Sequence, residues 1–242
     1  MISGNKSRLC LILFISLLGL LNLCSSCSQP IILGEGYAID FLPRTSDYAY
    51  LNPMILKTDG QGYTYIERLN ESSVPVDKFI LRANVTSLTG DVLDYSQGTT
   101  SPDPILEKEL LEAYGLDGDS HGSAIIFIEY RKEVCRDIVF TADKEIFGVK
   151  PGEPLNDWLQ FYAHPDKYQQ CILSRDKKAV AQITSGMTLE QYLSYHPIIF
   201  SDAYFRFKEI PAEIPSEISF SVRIELEEGK VLHARSVLCK LR

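Results

Sequence analysis

Residues 218–226 read ISFSVRIEL and residues 231–241 read VLHARSVLCKL, with Glu228-Gly229 between them. In the first run Ile218, Phe220, Val222, Ile224 and Leu226 fall on one side, and Ser219, Ser221, Arg223 and Glu225 on the other. A period of two is the signature of a strand with one face in a core and one in water. Glu228-Gly229 supplies the turn, and Val231 to Leu241 returns as the partner strand. Half-buried antiparallel hairpins build sandwiches, because the apolar face must meet a second sheet. The expected fold is therefore mainly β, an antiparallel β-sandwich of immunoglobulin-like type with a few short helices.

Working outward, Asp77 to Ser87 (DKFILRANVTS) alternates in the same way, with Phe79, Leu81, Ala83 and Val85 on one face. Tyr204-Phe205-Arg206-Phe207 leads into a proline-bounded turn from Pro211 to Pro215. Met54–Thr58 and Tyr63–Leu69 flank Asp59-Gly60-Gln61-Gly62 and predict a hairpin. Tyr37–Leu42 predicts a strand stopped by Pro43, and TSDYAYLNP, 45–53, reads as a turn. Ala124–Arg131 and Cys135–Ala142 read as a further strand pair.

Helical spacing occurs in one longer stretch, DPILEKELLEAYGL, where Ile105, Leu106, Leu110 and Ala113 share a face and Gly115 stops the helix. A faint internal echo pairs Gly152-Glu153-Pro154-Leu155-Asn156-Asp157-Trp158-Leu159 with Gly186-Met187-Thr188-Leu189-Glu190-Gln191-Tyr192-Leu193. Leucine, aromatic and leucine at i, i+3 and i+4 predict two short helices with similar apolar faces.

The N-terminus has a different character. Lys6 and Arg8 precede an apolar run, Leu9 to Leu23, which ends in LCSSCS, residues 23–28. The run is shorter than the roughly 20 residues that span a bilayer, and it ends in small residues, as a secretory signal does. A Cys-x-x-Cys redox pair needs a βαβ setting that is missing here. The stretch instead resembles a bacterial lipobox. That resemblance implies cleavage before Cys27 and acylation of its sulfur, although Cys24 stands where the motif has leucine. The expected organisation is a signal peptide over 1–26, an anchored tether over 27–36 and a single β-rich domain over 37–242. Ordinary cleavage near Ser28, without lipid, is the alternative.

Removing the leader takes two basic residues and no acidic one, so the formal net charge moves from −8 to −8 − 2 = −10. Such a chain is a poor match for nucleic acid, which is bound by neutralising phosphates. Three cysteines follow the anchor, Cys135, Cys171 and Cys239, enough for at most one disulfide and one remaining thiol.

Asp117-Gly118-Asp119-Ser120-His121-Gly122 partly matches a calcium loop, with Asp117, Asp119 and His121 at positions 1, 3 and 5. Position 12 is Ile128 rather than glutamate, so an ordinary turn is expected, with Ca2+ as the alternative. No cofactor is otherwise implied. The four histidines form no zinc spacing, and the chain holds no G-x-S-x-G elbow, P-loop or dinucleotide fingerprint. No catalytic residue can be assigned. Among the many aromatics, Trp158 and Tyr162 are candidates for a glycan platform, packing being the alternative role.

Three stretches together resemble uncharacterised lipoproteins of Bacteroidetes-type bacteria: the signal ending in SSCS, ADKEIFGVKPGEPLNDW (142–158), and FSVRIELEEGKVLHA (220–234). The resemblance implies a secreted, lipid-anchored envelope protein, and it transfers no catalytic residue. Ser28-Gln29-Pro30 lacks the acidic residues that often follow a surface-exported anchor, so the outer membrane's periplasmic side is the expected location. The function expected is a non-enzymatic binding or assembly module with a protein partner. A glycan-binding or glycan-hydrolysing protein is the alternative.

Overall fold

In the computed structural model the described residues are 37–69, 73–87, 102–115, 124–163, 170–215 and 217–242, and all belong to one unit that begins at Glu35. The anchor candidate Cys27 and the loop residues Asp117, Asp119 and His121 lie outside them. The opening hairpin is present: β11 (Phe220–Leu226) pairs antiparallel with β12 (Val231–Arg235) and, on its other side, with β6 (Cys135–Ala142). A second antiparallel sheet runs in the order β3 (Thr64–Arg68), β2 (Tyr48–Thr58), β4 (Phe79–Thr86), β10 (Asp202–Phe207), β7 (Leu159–Phe161).

These two sheets bury their apolar faces against each other. Phe79 of β4 and Phe205 and Phe207 of β10 meet Phe140 of β6 and Phe220 of β11, with ring centroids 4.8–6.0 Å apart. The fold is a mainly β, antiparallel sandwich with two short helices. The alternation read at Ile218–Leu226 explains it, because its odd-numbered residues are the ones turned outward. Ser219 is a partial exception, since it is buried beneath Asp143 and Arg235 on the outer side.

Some sequence expectations fail. Tyr48–Pro53 is the first half of the long strand β2 and not a turn. Pro53 is tolerated because β2 there has β4 as its one neighbour among the described residues, as on a sheet edge. The strands β5 (Ala124–Tyr130) and β6 do not pair with each other. β5 instead lies parallel to β1 (Tyr37–Pro43), from Tyr37 opposite Ala124 to Pro43 opposite Tyr130. The buried Arg131 follows β5, and Val134 bridges to Ile198, so no tight turn returns the chain onto β5.

Helix α1 (Pro104–Tyr114) begins at Asp103, whose carboxylate accepts from the Leu106 N–H, and ends at Gly115 with φ 63°. Leu106 and Leu110 face a small second core with Tyr130, Leu173 and Ile198. Ile105 is exposed, because it lies about 100° around the helix from Leu106. The short hairpin of β8 (Cys171–Leu173) and β9 (Ala179–Gln182) lies alongside.

The echoed segments differ. Leu189–Ser194 is a helix, α2, closed by a reciprocal cap between Thr188 and Gln191. Its counterpart, Asn156–Trp158, is a single 3-10 turn. Pro154 stands where the cap needs Thr188, and Asp157 where it needs Gln191, so the reciprocal hydrogen bonds cannot form. Cys135, Cys171 and Cys239 are all free thiols. Burial pushes Cys135 and Cys239 up to about 12, so both are inert at neutral pH.

One ion cluster ties the closing hairpin to the loop after β6. Asp143 accepts from the Ser219 N–H at 2.8 Å, the Ser219 hydroxyl at 2.7 Å and Arg235 Nη2 at 3.0 Å. Burial opposes ionisation of Asp143, but Ser219 and Arg235 outweigh it and hold the carboxyl below the usual range. A depressed native pKa contributes stability above about pH 4 that is lost as pH falls through the native value. Asp143→Asn is therefore expected to be less stable than the natural chain at pH 7, with the gap smaller at pH 3. Urea midpoints at the two pH values measure this, and a constant gap contradicts it.

Candidate functional site

The outer face of the five-stranded sheet carries the chemistry. Alternation turns Ala49, Leu51, Ile55, Leu81, Ala83, Val85 and Phe205 inward. The residues between them therefore point away from the core: Tyr48, Tyr50, Asn52 and Met54 on β2, Ile80, Arg82 and Asn84 on β4, and Asp202, Tyr204 and Arg206 on β10. Register sets them in rows. Tyr50, Asn84 and Asp202 are successive neighbours across three strands, as are Asn52, Arg82 and Tyr204.

One end of this face is apolar. Met54, Ile80 and Tyr204 form a buried cluster against Leu56, Ile66 and Tyr162. The middle is a fixed charged network. Arg82 grips Asp202 with both ends of its fork, Nε to Oδ1 at 2.7 Å and Nη2 to Oδ2 at 3.0 Å. The Tyr204 hydroxyl donates to the same Oδ2 at 3.1 Å, and the Arg82 guanidinium lies 5.8 Å from the Tyr204 ring centre. Burial works against the charge on Arg82, but Asp202 and Tyr204 more than restore it and raise its pKa. Asn84 is pinned by donating to the Ser201 carbonyl at 2.8 Å.

Beside this network Arg206 lies 5.6 Å from the Tyr162 ring centre, and the Gln160 side-chain oxygen accepts from its Nε at 3.0 Å when the amide is turned toward it. Among the described residues no carboxylate pairs with Arg206. The far end is aromatic and open, with Tyr48 46% and Tyr50 52% exposed. Among the described residues the face carries three arginines, Arg68, Arg82 and Arg206, against one aspartate. Its described residues offer π-faces, amides and cations, and among them no nucleophile is paired with a base.

Of the sequence candidates, Tyr162 belongs to this face. Trp158 does not join it: the indole packs against the sandwich core, stacked on Phe147 at 4.7 Å and 7°. Phe147 holds a positive φ of 58° in the tight turn Ile146–Val149, a conformation that side chains rarely adopt. One face of Trp158 is thus already covered by a ring.

Arg82, Asp202, Tyr204 and Arg206 were not singled out from the sequence. The signal available was the non-core set of two alternating strands, FILRANVT and DAYFRF. What periodicity cannot supply is the register that sets those side chains side by side. Among the described residues no helix is long and apolar enough to cross a membrane, and no three His, Cys, Asp or Glu side chains converge. Comparison with protein-family models, curated proteins and solved structures found no match.

Proposed function

We propose that the protein is a lipid-anchored module of the cell envelope, held through Cys27, which binds an extended anionic partner on the outer face of the five-stranded sheet. The observation that carries the reading is the meeting, on one sheet face, of two exposed tyrosines with Arg206, a cation to which no described residue offers a carboxylate. The chain as a whole is acidic, with formal net charge −8, so a face whose described residues set three arginines against one aspartate stands out in sign. Tyrosine and arginine are also the side chains that most often dominate binding energy. An exposed sheet face suits an extended partner better than a small molecule, which needs a concave site.

Glycan binding is the second reading. Tyr48 and Tyr50 are two residues apart on one strand, which places them about 7 Å apart on the same face, as a stacking ladder would require. The lipobox supports the anchor, since several acyl chains hold a protein stably where one is marginal.

Two measurements test the proposal. Cys27→Ala is expected to move the protein from the membrane fraction to the soluble envelope fraction; retention in the membrane overturns the anchor. A photo-crosslinking residue in place of Tyr50, in native envelopes, is expected to give adducts that Arg206→Gln reduces. The same residue in place of Val231 on the other sheet is expected to give none. Equal adducts at both positions, with no glycan retained on an array, overturn the binding face.

A further inference from the structure

The five-stranded sheet ends on β7 and β3, and its two ends are finished differently. At β7 the Phe161 N–H donates to the Met187 carbonyl at 2.8 Å, and the Phe161 carbonyl accepts from the Gly186 N–H at 3.0 Å, so a loop closes that edge. Nothing among the described residues closes β3. The Asp59 N–H donates to the Tyr63 carbonyl at 2.9 Å, which makes Thr58 and Thr64 a non-hydrogen-bonded pair and Lys57 and Tyr65 a bonded one. The peptide groups of Tyr65 and Glu67 therefore point to β2, and those of Thr64, Ile66 and Arg68 point away from the sheet. Such a row of outward donors and acceptors, without proline or bulge, is a template for another strand.

We infer that β3 pairs antiparallel with β3 of a second copy of this chain, about a two-fold axis through Ile66. Register and charge select that partner. With the axis at Ile66, Thr64 faces Arg68 of the second copy and Tyr65 faces its Glu67, so the whole of Thr64–Arg68 is paired. Moving the axis to Glu67 or Arg68 sets like charges face to face. Moving it to Thr64 or Tyr65 leaves part of the edge without a strand opposite.

The charge on Glu67 is already met within the chain by Lys57 Nζ at 2.7 Å, so the facing tyrosine meets an ion pair and not a lone carboxylate. Ile66 supplies the apolar contact. Half-buried, it packs with Leu56 and Tyr162 against the cluster of Met54, Ile80 and Tyr204. Two isoleucines facing each other on the axis, their Cα atoms about 5.5 Å apart, join the two clusters into one. The axis stands perpendicular to the sheet, so the outer faces of both copies lie on one side of a continuous sheet. One strand pair is smaller than a standard interface, so the association is weak and depends on concentration.

The test uses the full chain, in native envelopes and then solubilised, with the natural chain as blank. A short bismaleimide is expected to join Ile66→Cys into a dimer. Tyr63→Cys, at a residue 67% exposed, is expected to stay uncrosslinked, because about 20 Å of strand separates the two copies of that position. In sedimentation equilibrium the solubilised natural chain is expected to dimerise at about 1 mM. Ile66→Pro deletes the central outward N–H and spares every bond to β2, and it is expected to weaken the dimer at least about tenfold. If Ile66→Pro does not fold, Ile66→Lys, which sets two cations against each other on the axis, is expected to weaken it as much. The proposal is overturned by a monomer at that concentration, or by equal crosslinking at Tyr63→Cys. Crosslinks of Ile66→Cys to other proteins alone, or undiminished association in Ile66→Lys, overturn it as well.

Discussion

Phe205→Ala is expected to lower the free energy of unfolding by about 3–5 kcal/mol, a large part of the 5–15 kcal/mol typical of a domain. The ring is fully buried, 4.5 Å from Phe161, 4.8 Å from Phe140 and 6.2 Å from Phe200. Phe140 belongs to the opposite sheet, so the missing ring opens a void at the plane where the two sheets meet. Aromatic neighbours in fixed tilted geometries close such a void poorly, which places the cost toward the upper end of the range. The substitution also bears on function: Tyr204 and Arg206 flank Phe205 on β10 and project from the other side of the same strand. A loosened β10 is expected to weaken the candidate binding face even though Phe205 never touches it. Urea denaturation measures the loss, with Tyr50→Ala as a surface control expected to stay within about 0.5 kcal/mol. A loss below 1 kcal/mol for Phe205→Ala would mean that the sheets are not held together at this ring.

Alternation made much of this sandwich readable from the chain. The inward residues of β4 and β11 were identifiable because water on one side and a core on the other impose a period of two. The C-terminal boundary of α1 was equally plain, since Gly115 stops the helix for a local reason. What local pattern does not encode is partnership. The apolar run Ala124–Tyr130 fits an antiparallel neighbour or a parallel one, and its partner β1 lies more than 80 residues away. Proline at 53 reads as a strand breaker until the sheet shows that β2 has a single neighbour there. The same limit hid the binding face. Arg82 and Asp202 are 120 residues apart, and only the β4–β10 register makes them a pair. Arg131 shows the limit most sharply, since an arginine at a strand end reads as solvated, while this one is buried with its guanidinium on the Val85 carbonyl of β4, 46 residues away.

Asn156 is where two faintly similar local sequences diverge, and its replacement is the second large effect expected. Its Oδ1 accepts from the Phe140 N–H at 2.9 Å and its Nδ2 donates to the Ile138 carbonyl at 2.6 Å. With the Leu155 N–H on the Phe140 carbonyl, the segment seals the edge of β6 that β11 does not cover. In α2 the equivalent residue is Glu190, exposed and free of any such task, and there a capping box starts a helix. Asn156→Ala leaves one buried donor and one buried acceptor unpaired beside Phe140 and Ile138, both fully buried, and is expected to cost about 2–3 kcal/mol. Thr188→Ala removes one exposed cap and is expected to cost about 1 kcal/mol. Asn156→Asp keeps the acceptor but sets a carboxylate against the Ile138 carbonyl, so it is expected to be no better than alanine. Urea midpoints rank the three, and hydrogen exchange at the Phe140 amide separates the cause: it accelerates in Asn156→Ala and stays slow in Thr188→Ala. If Asn156→Ala costs no more than Thr188→Ala, water serves that edge as well as the amide does.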